Sequence, residues 1–96
     1  MDGFKKFTYP NGEIASKGLI KNGKPEGFWI NYYQNGNIKS KGKRVNNKLD
    51  SIWNFYNKNG VLSVSLKYEN GVKNGWKITY NKNSSVVKKE LFNSDT

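Results

Sequence analysis

The feature that most constrains this chain is that it repeats itself without gaps. The stretch Gly27-Phe28-Trp29-Ile30-Asn31-Tyr32-Tyr33-Gln34-Asn35-Gly36 returns 24 residues later as Ser51-Ile52-Trp53-Asn54-Phe55-Tyr56-Asn57-Lys58-Asn59-Gly60. A further step of 24 gives Gly75-Trp76-Lys77-Ile78-Thr79-Tyr80-Asn81-Lys82-Asn83-Ser84, and a step back gives Gly3-Phe4-Lys5-Lys6-Phe7-Thr8-Tyr9-Pro10-Asn11-Gly12. Each copy reads as an aromatic strand running into a turn, because Asn and Gly tolerate the positive φ that a tight hairpin demands. Gly12, Gly36 and Gly60 share one column, and Tyr32, Tyr56 and Tyr80 another. A second turn signal recurs at Asn22-Gly23, Asn46-Asn47, Asn70-Gly71 and Ser94-Asp95. A fixed period in this range marks a repeat array.

The 96 residues divide into four copies, 1–24, 25–48, 49–72 and 73–96, the last degenerate, and together make one repeat domain. The expected strands are 4–9, 13–21, 28–33, 37–45, 52–57, 61–69, 76–81 and 85–92, with Pro25 in a loop because it cannot donate to a ladder. Helical periodicity is absent. The fold expected is all-β: an elongated, single-layer antiparallel meander of hairpins. Deleting one 24-residue copy should leave a folded protein; deleting half a copy should not.

The pattern G-x-W-x-x-Y-Y-x-N-G, followed one strand later by a second turn, resembles the MORN repeat, closest to its bacterial variant in the YwqK-type toxin–antitoxin component family. The resemblance covers the whole chain and is best over Tyr9 to Gly36. It departs at Ser51, which replaces a Gly; at Trp76, which stands one residue early with Lys77 in the Trp column; and beyond Val86, where the glycines are lost. The resemblance implies scaffolding or antitoxin-like activity without naming a partner. The family's full name also invokes membranes.

Faces follow from alternation along strands. Even positions collect Phe4, Ile14, Phe28, Ile30, Tyr32, Ile52, Tyr56, Trp76 and Tyr80, so the even face is expected to be the packed one. Odd positions collect most lysines together with Trp29, Tyr33, Trp53 and Phe55. Exposed aromatic rings amid positive charge suit a binding surface. The candidate partner-binding residues are therefore Trp29, Tyr33, Trp53, Phe55, Lys39, Lys41 and Lys43. The alternatives for this group are cross-strand packing and self-association. Gly12, Gly36, Gly60, Tyr32, Tyr56 and Tyr80 are read as structural. On this reading, removing Trp29 and Trp53 costs little stability and removing Tyr32 and Tyr56 unfolds the array. Gly18 and Gly42 stand mid-strand, where a bare backbone calls for a large occupant, expected to be an aromatic ring from a neighbouring strand; Leu66 in the same column requires a change there.

Asp2, Glu26, Asp50 and Asn74 form a column before each aromatic strand. Their spacing, about two strand separations or ~9–10 Å, is too wide for one metal ion. They suit turn residues that bind nearby backbone N–H groups. With no Cys and no His, disulfide, zinc and His-dependent catalytic schemes fall away, and no nucleophile motif or paired acid–base group remains. The chain is read as a non-enzyme without cofactor or metal.

The net charge is +10, with 10 Lys and Arg against 3 acids in residues 1–48 and 7 against 4 in residues 49–96. Such a surplus favours anionic partners, or serves only solubility and the blunting of sheet edges. The leading function is a protein–protein interaction or scaffold module. The alternative is binding of an anionic phospholipid surface or nucleic acid through a basic aromatic face, which salt should weaken far more than a hydrophobic protein interface. No apolar leader and no run long enough to cross a bilayer as a helix is present, which gives a cytoplasmic expectation.

Overall fold

The computed structural model describes residues 2–93. The fourth second-turn signal, Ser94-Asp95, lies outside the described residues. Eight strands follow in order: β1 (Gly3–Thr8), β2 (Ile14–Lys21), β3 (Lys24–Tyr32), β4 (Ile38–Val45), β5 (Lys48–Tyr56), β6 (Leu62–Glu69), β7 (Val72–Tyr80) and β8 (Val86–Phe92). They form one open antiparallel sheet whose spatial order is the sequence order. No helix occurs among the described residues. The molecule is a plate of 39 × 33 × 15 Å, nearly as wide as it is long rather than elongated.

Two kinds of turn build the meander. Lys21 pairs with Lys24, Val45 with Lys48 and Glu69 with Val72, so each second turn has a two-residue loop. Both loop residues are left-handed: φ is 53° and 79° at Asn22 and Gly23, 52° and 69° at Asn46 and Asn47, and 53° and 85° at Asn70 and Gly71. That is the type I′ geometry whose twist matches the flanking strands. The other turns are longer. Gly12, Gly36 and Gly60 hold φ near +90° there (90°, 92° and 86°), and Ser84 takes 66° in the fourth.

Because the second turns are tight, β3 begins at Lys24, earlier than the expected 28, and β5 and β7 shift likewise. Pro25 therefore lies in a strand, opposite Ile20, and not in a loop. The β3–β4 pairing starts only at Gly27, so the missing Pro25 N–H removes no bond from that ladder.

The face assignment is overturned. Trp29 and Trp53, placed on the exposed face by parity, are 5% and 2% exposed and with Leu66 form the buried apolar core among the described residues. Phe4 and Phe28, placed on the packed face, are 80% and 76% exposed. The reason lies in the register. Cross-strand partners carry numbers of opposite parity, as in Trp29 with Gly42 and Ile30 with Lys41. A two-residue loop joins positions three apart, which differ in parity. The longer turn closes on Tyr32 and Ile38, of equal parity, but a one-residue bulge before Asn31–Ser40 restores the inversion. Parity is thus kept from copy to copy but flips between adjacent strands.

Candidate functional site

The face with the buried core carries a row that runs from β1 to β4 and resumes from β5 to β8, the two parts joined where Trp53 lies against Gly42. Lys5 pairs with Gly18, Gly18 with Trp29, Trp29 with Gly42, Trp53 with Leu66, Leu66 with Lys77 and Lys77 with Glu90. A Cβ on Gly18 would lie 2.3 Å from Trp29 Cδ2, and one on Gly42 2.3 Å from Trp53 Cδ2. The indoles therefore lie flat on bare backbone, which is the occupant the two glycines require. Each ring is also anchored by its N–H: Trp29 Nε1 donates to the Leu19 carbonyl at 3.0 Å, and Trp53 Nε1 to the Lys43 carbonyl at 2.9 Å. Phe7 stacks on Trp29 and Phe55 tilts against Trp53, with the Arg44 guanidinium 5.7 Å from the Trp53 ring centre. In the third copy Leu66 is buried and faces Lys77, so the Gly–Trp arrangement changes at the expected place.

The opposite face carries what the burial of the tryptophans leaves out. Phe4 pairs with Leu19, Phe28 with Lys43, Ile52 with Lys67 and Trp76 with Leu91, which makes a row across the sheet whose register shifts between these pairs, where Leu19 meets Glu26 and Lys43 meets Asp50. Phe4, Phe28, Ile52, Trp76 and Leu91 are all exposed. The apolar members on β1, β3, β5 and β7 are spaced by two strands, about 9.5 Å. The adjacent row runs Lys6, Lys17, Ile30, Lys41, Asn54, Ser65, Ile78 and Lys89. Between the rings of Phe4 and Phe28 lies a hollow of 680 Å³ bordered by Lys6, Lys17 and Ile30. A second, of 310 Å³, continues it across Ile30, Lys41, Ile52 and Asn54.

The lysines of this face stand over its own rings: Lys17 Nζ is 5.7 Å from the Tyr32 centre, Lys41 Nζ 5.9 Å from Tyr56, and Lys89 Nζ 5.1 Å from Trp76. A cation over a π face is held by the ring quadrupole, which limits where the ammonium can go. Among the described residues the only ion pair is Lys88 with Glu90, at 3.7 Å.

The residues singled out in the sequence do not come together. Trp29, Trp53 and Phe55 share the buried face; Lys41 and Lys43 project from the other. Tyr33 donates its hydroxyl to the Tyr56 carbonyl at 2.7 Å and is approached by Lys39, whose Nζ is 5.9 Å from the ring. Tyr9 makes the equivalent bond to the Tyr32 carbonyl at 2.5 Å. The carboxylate column serves turns: Asp2 accepts from Asn22 N–H, Glu26 from Asn46 N–H and Asp50 from Asn70 N–H, at 2.6, 3.1 and 3.2 Å. Asn74, fourth in that column, donates to Glu69 at 3.2 Å.

Phe4, Phe28, Ile52 and Trp76 form a 24-residue column in the sequence, which strand alternation places on the packed face and the structure on the exposed one. The signal that could have corrected it is the pairing of small with large: Gly18 and Gly42 need big neighbours on their own face, and Trp29 and Trp53 are the ones on offer.

Comparison with protein-family models, with curated proteins and with solved structures finds no match. Among the described residues no group of three or more His, Cys, Asp or Glu is placed to hold a metal ion, and no helix is long and apolar enough to cross a membrane.

Proposed function

We propose that the chain is a non-catalytic protein-interaction or scaffold module of MORN-type hairpins with a 24-residue period, antitoxin-like in acting by occupation of a partner. Its binding face is the one opposite the buried tryptophans. The observation that carries this reading is the exposed row Phe4, Phe28, Ile52 and Trp76 on a face that none of the described residues covers. Exposed rings gathered in one row, with a hollow between Phe4 and Phe28, are the kind of surface that marks an interaction site. Of the residues chosen from the sequence, Lys41 and Lys43 belong to this face, while Trp29, Trp53 and Phe55 back it from the other side.

The sheet supplies rigidity. With both tryptophans locked onto glycine, the face is preorganised, and association loses less to ordering than a loop surface would. The test is a pull-down from the source cells with the wild-type chain and a Phe28→Ser/Ile52→Ser variant. A protein retained by the first and lost by the second, with melting unchanged, supports the reading. Retention by both contradicts it. The second reading, an anionic lipid surface or nucleic acid, draws on the row of Lys6, Lys17, Lys41 and Lys89; such binding would collapse between low and moderate salt.

A further inference from the structure

We infer that the partner of this face is an acidic protein surface, one whose apolar contact residues are interleaved with carboxylates; the inference rests on the interaction reading above. The argument begins with the row itself. Lys43 and Lys67 stand in register with Phe28 and Ile52, in the same line as the exposed rings. Whatever covers the rings also covers these ammonium groups, and a buried charge must be paired. Among the described residues neither ammonium is in an ion pair, although Asp50 is the register partner of Lys43 on β5. The nearby carboxylates of Glu26 and Asp50 are engaged by turn N–H groups.

Three occupants meet this requirement differently. A second copy laid face to face would set Lys6, Lys17, Lys41, Lys43, Lys67 and Lys89 against the same set, offset only by Glu26 and Asp50, and like charges in excess across an interface oppose association. A bilayer would take the rings at headgroup level and let the lysines snorkel to its phosphates, but its fluid headgroups set no counter-charge in register with Lys43 and Lys67. A protein surface can place a carboxylate opposite each ammonium and an apolar side chain opposite each ring. The plate, 39 × 33 Å across, offers enough surface for the about 800 Å² per partner of a standard interface. Lys17, Lys41 and Lys89 stand over rings of this face, which biases where their ammoniums lie and adds position to net charge in the match.

The test uses Trp76 as reporter, since it is half exposed while Trp29 and Trp53 are buried. Acrylamide quenching of its emission, isolated by comparison with Trp76→Phe, reports coverage of the face. The probes are amphipathic helical peptides of about 20 residues, long enough at 1.5 Å per residue to span the ~29 Å from Phe4 to Trp76. One is Leu/Glu, one Leu/Gln and one Leu/Lys; vesicles of phosphatidylcholine with phosphatidylserine are the fourth. The Leu/Glu peptide should protect Trp76 at least about tenfold more tightly than Leu/Gln. The Lys41→Glu/Lys43→Glu variant should transfer that preference towards Leu/Lys. Equal binding of Leu/Glu and Leu/Gln, or binding of neither, overturns the inference and leaves the interaction reading to the pull-down. Protection by vesicles without protection by Leu/Glu overturns it in favour of a membrane. Protection that rises with protein concentration in the absence of any probe overturns it in favour of a second copy.

Discussion

The indole of Trp53 occupies the place where a side chain at Gly42 would begin: a Cβ there would come within 2.3 Å of Cδ2 and 2.4 Å of Cε2. The ring cannot swing aside freely, because its N–H is bound to the Lys43 carbonyl and its edge meets Phe55. Gly42→Ala should therefore destabilise by about 1–3 kcal/mol, the usual cost of forcing an extra group into a packed site. For a chain of this size each 1 kcal/mol lowers the melting temperature by about 4–8 °C. Thermal melting measures it; an unchanged midpoint would mean that the ring does not rest on the glycine in solution.

Trp53→Ala should cost about 3–5 kcal/mol, as for other large core truncations. Phe28→Ser, two strands away on the outer face, should stay within about 0.5 kcal/mol. Urea titration of both variants decides which face is the packed one, and equal midpoints would return the question to the parity argument.

Ser51 holds φ 62° in a column where Gly3, Gly27 and Gly75 hold 120°, 74° and 122°. A left-handed conformation costs a residue with a Cβ about 1 kcal/mol or more. Ser51→Gly should raise stability by up to about 1 kcal/mol, less the loss of its hydroxyl bond to Asp50 and the greater freedom glycine gives the unfolded chain. A fall in melting temperature would show that the hydroxyl bond outweighs the strain.

Burial pushes the Tyr68 hydroxyl above its ordinary pKa of 10.0, because desolvation disfavours the phenolate. A raised folded-state pKa on an acid means that the folded chain holds its proton where the unfolded chain releases it. The associated stability is fully present below pH 10 and is lost as pH rises through the folded value. The Tyr68→Phe variant, compared with wild type by denaturant midpoint from pH 8 upward, should lose stability less steeply above about pH 10. Parallel profiles would contradict this.

Removal of residues 25–48 joins Lys24 to Leu49 and sets Trp53 where Trp29 stood, opposite Gly18. The shortened chain should fold, less stably, with Trp53 on Gly18 and its N–H on the Leu19 carbonyl, because stability in an array is roughly a sum over units and their interfaces. Removal of residues 25–36 alone deletes most of β3 and sets Gly18 against a strand without tryptophan; it should unfold. Blue-shifted tryptophan emission together with a cooperative melt in the first deletion only is the expected outcome. The same behaviour in both would remove the 24-residue unit as the unit of folding.

Much of the architecture was legible because turns are local. Asn22-Gly23 and Asn70-Gly71 name their own geometry, and the eight antiparallel strands follow from where the turns fall. The role of Gly18 and Gly42 was legible too, since a bare backbone mid-strand makes sense only beneath something large. What was not legible was the side of the sheet on which Trp29 lies. That depends on whether each turn preserves or inverts parity, and the bulge between Asn31 and Tyr32 leaves no mark in composition. The candidate site inherited the error: Lys41 was grouped with Trp29 because both numbers are odd, yet Lys41 pairs with Ile30 on the other face. The carboxylate column was legible only in part: Asp2, Glu26 and Asp50 do bond turn N–H groups, but those of Asn22, Asn46 and Asn70, 20 residues on and past an intervening turn.

Since spatial order equals sequence order, β1 and β8 lie on opposite edges of the sheet. A load applied between them pulls across the ladders and not along them, so hydrogen bonds open a pair at a time instead of sharing the force. Each indole seated on glycine is then a latch that must release before its hairpin parts. Under tension the plate pays out like a zip with two stiff teeth, at Trp29 and Trp53. Its resistance to stretching is therefore concentrated in the middle of the chain, with compliant hairpins on either side.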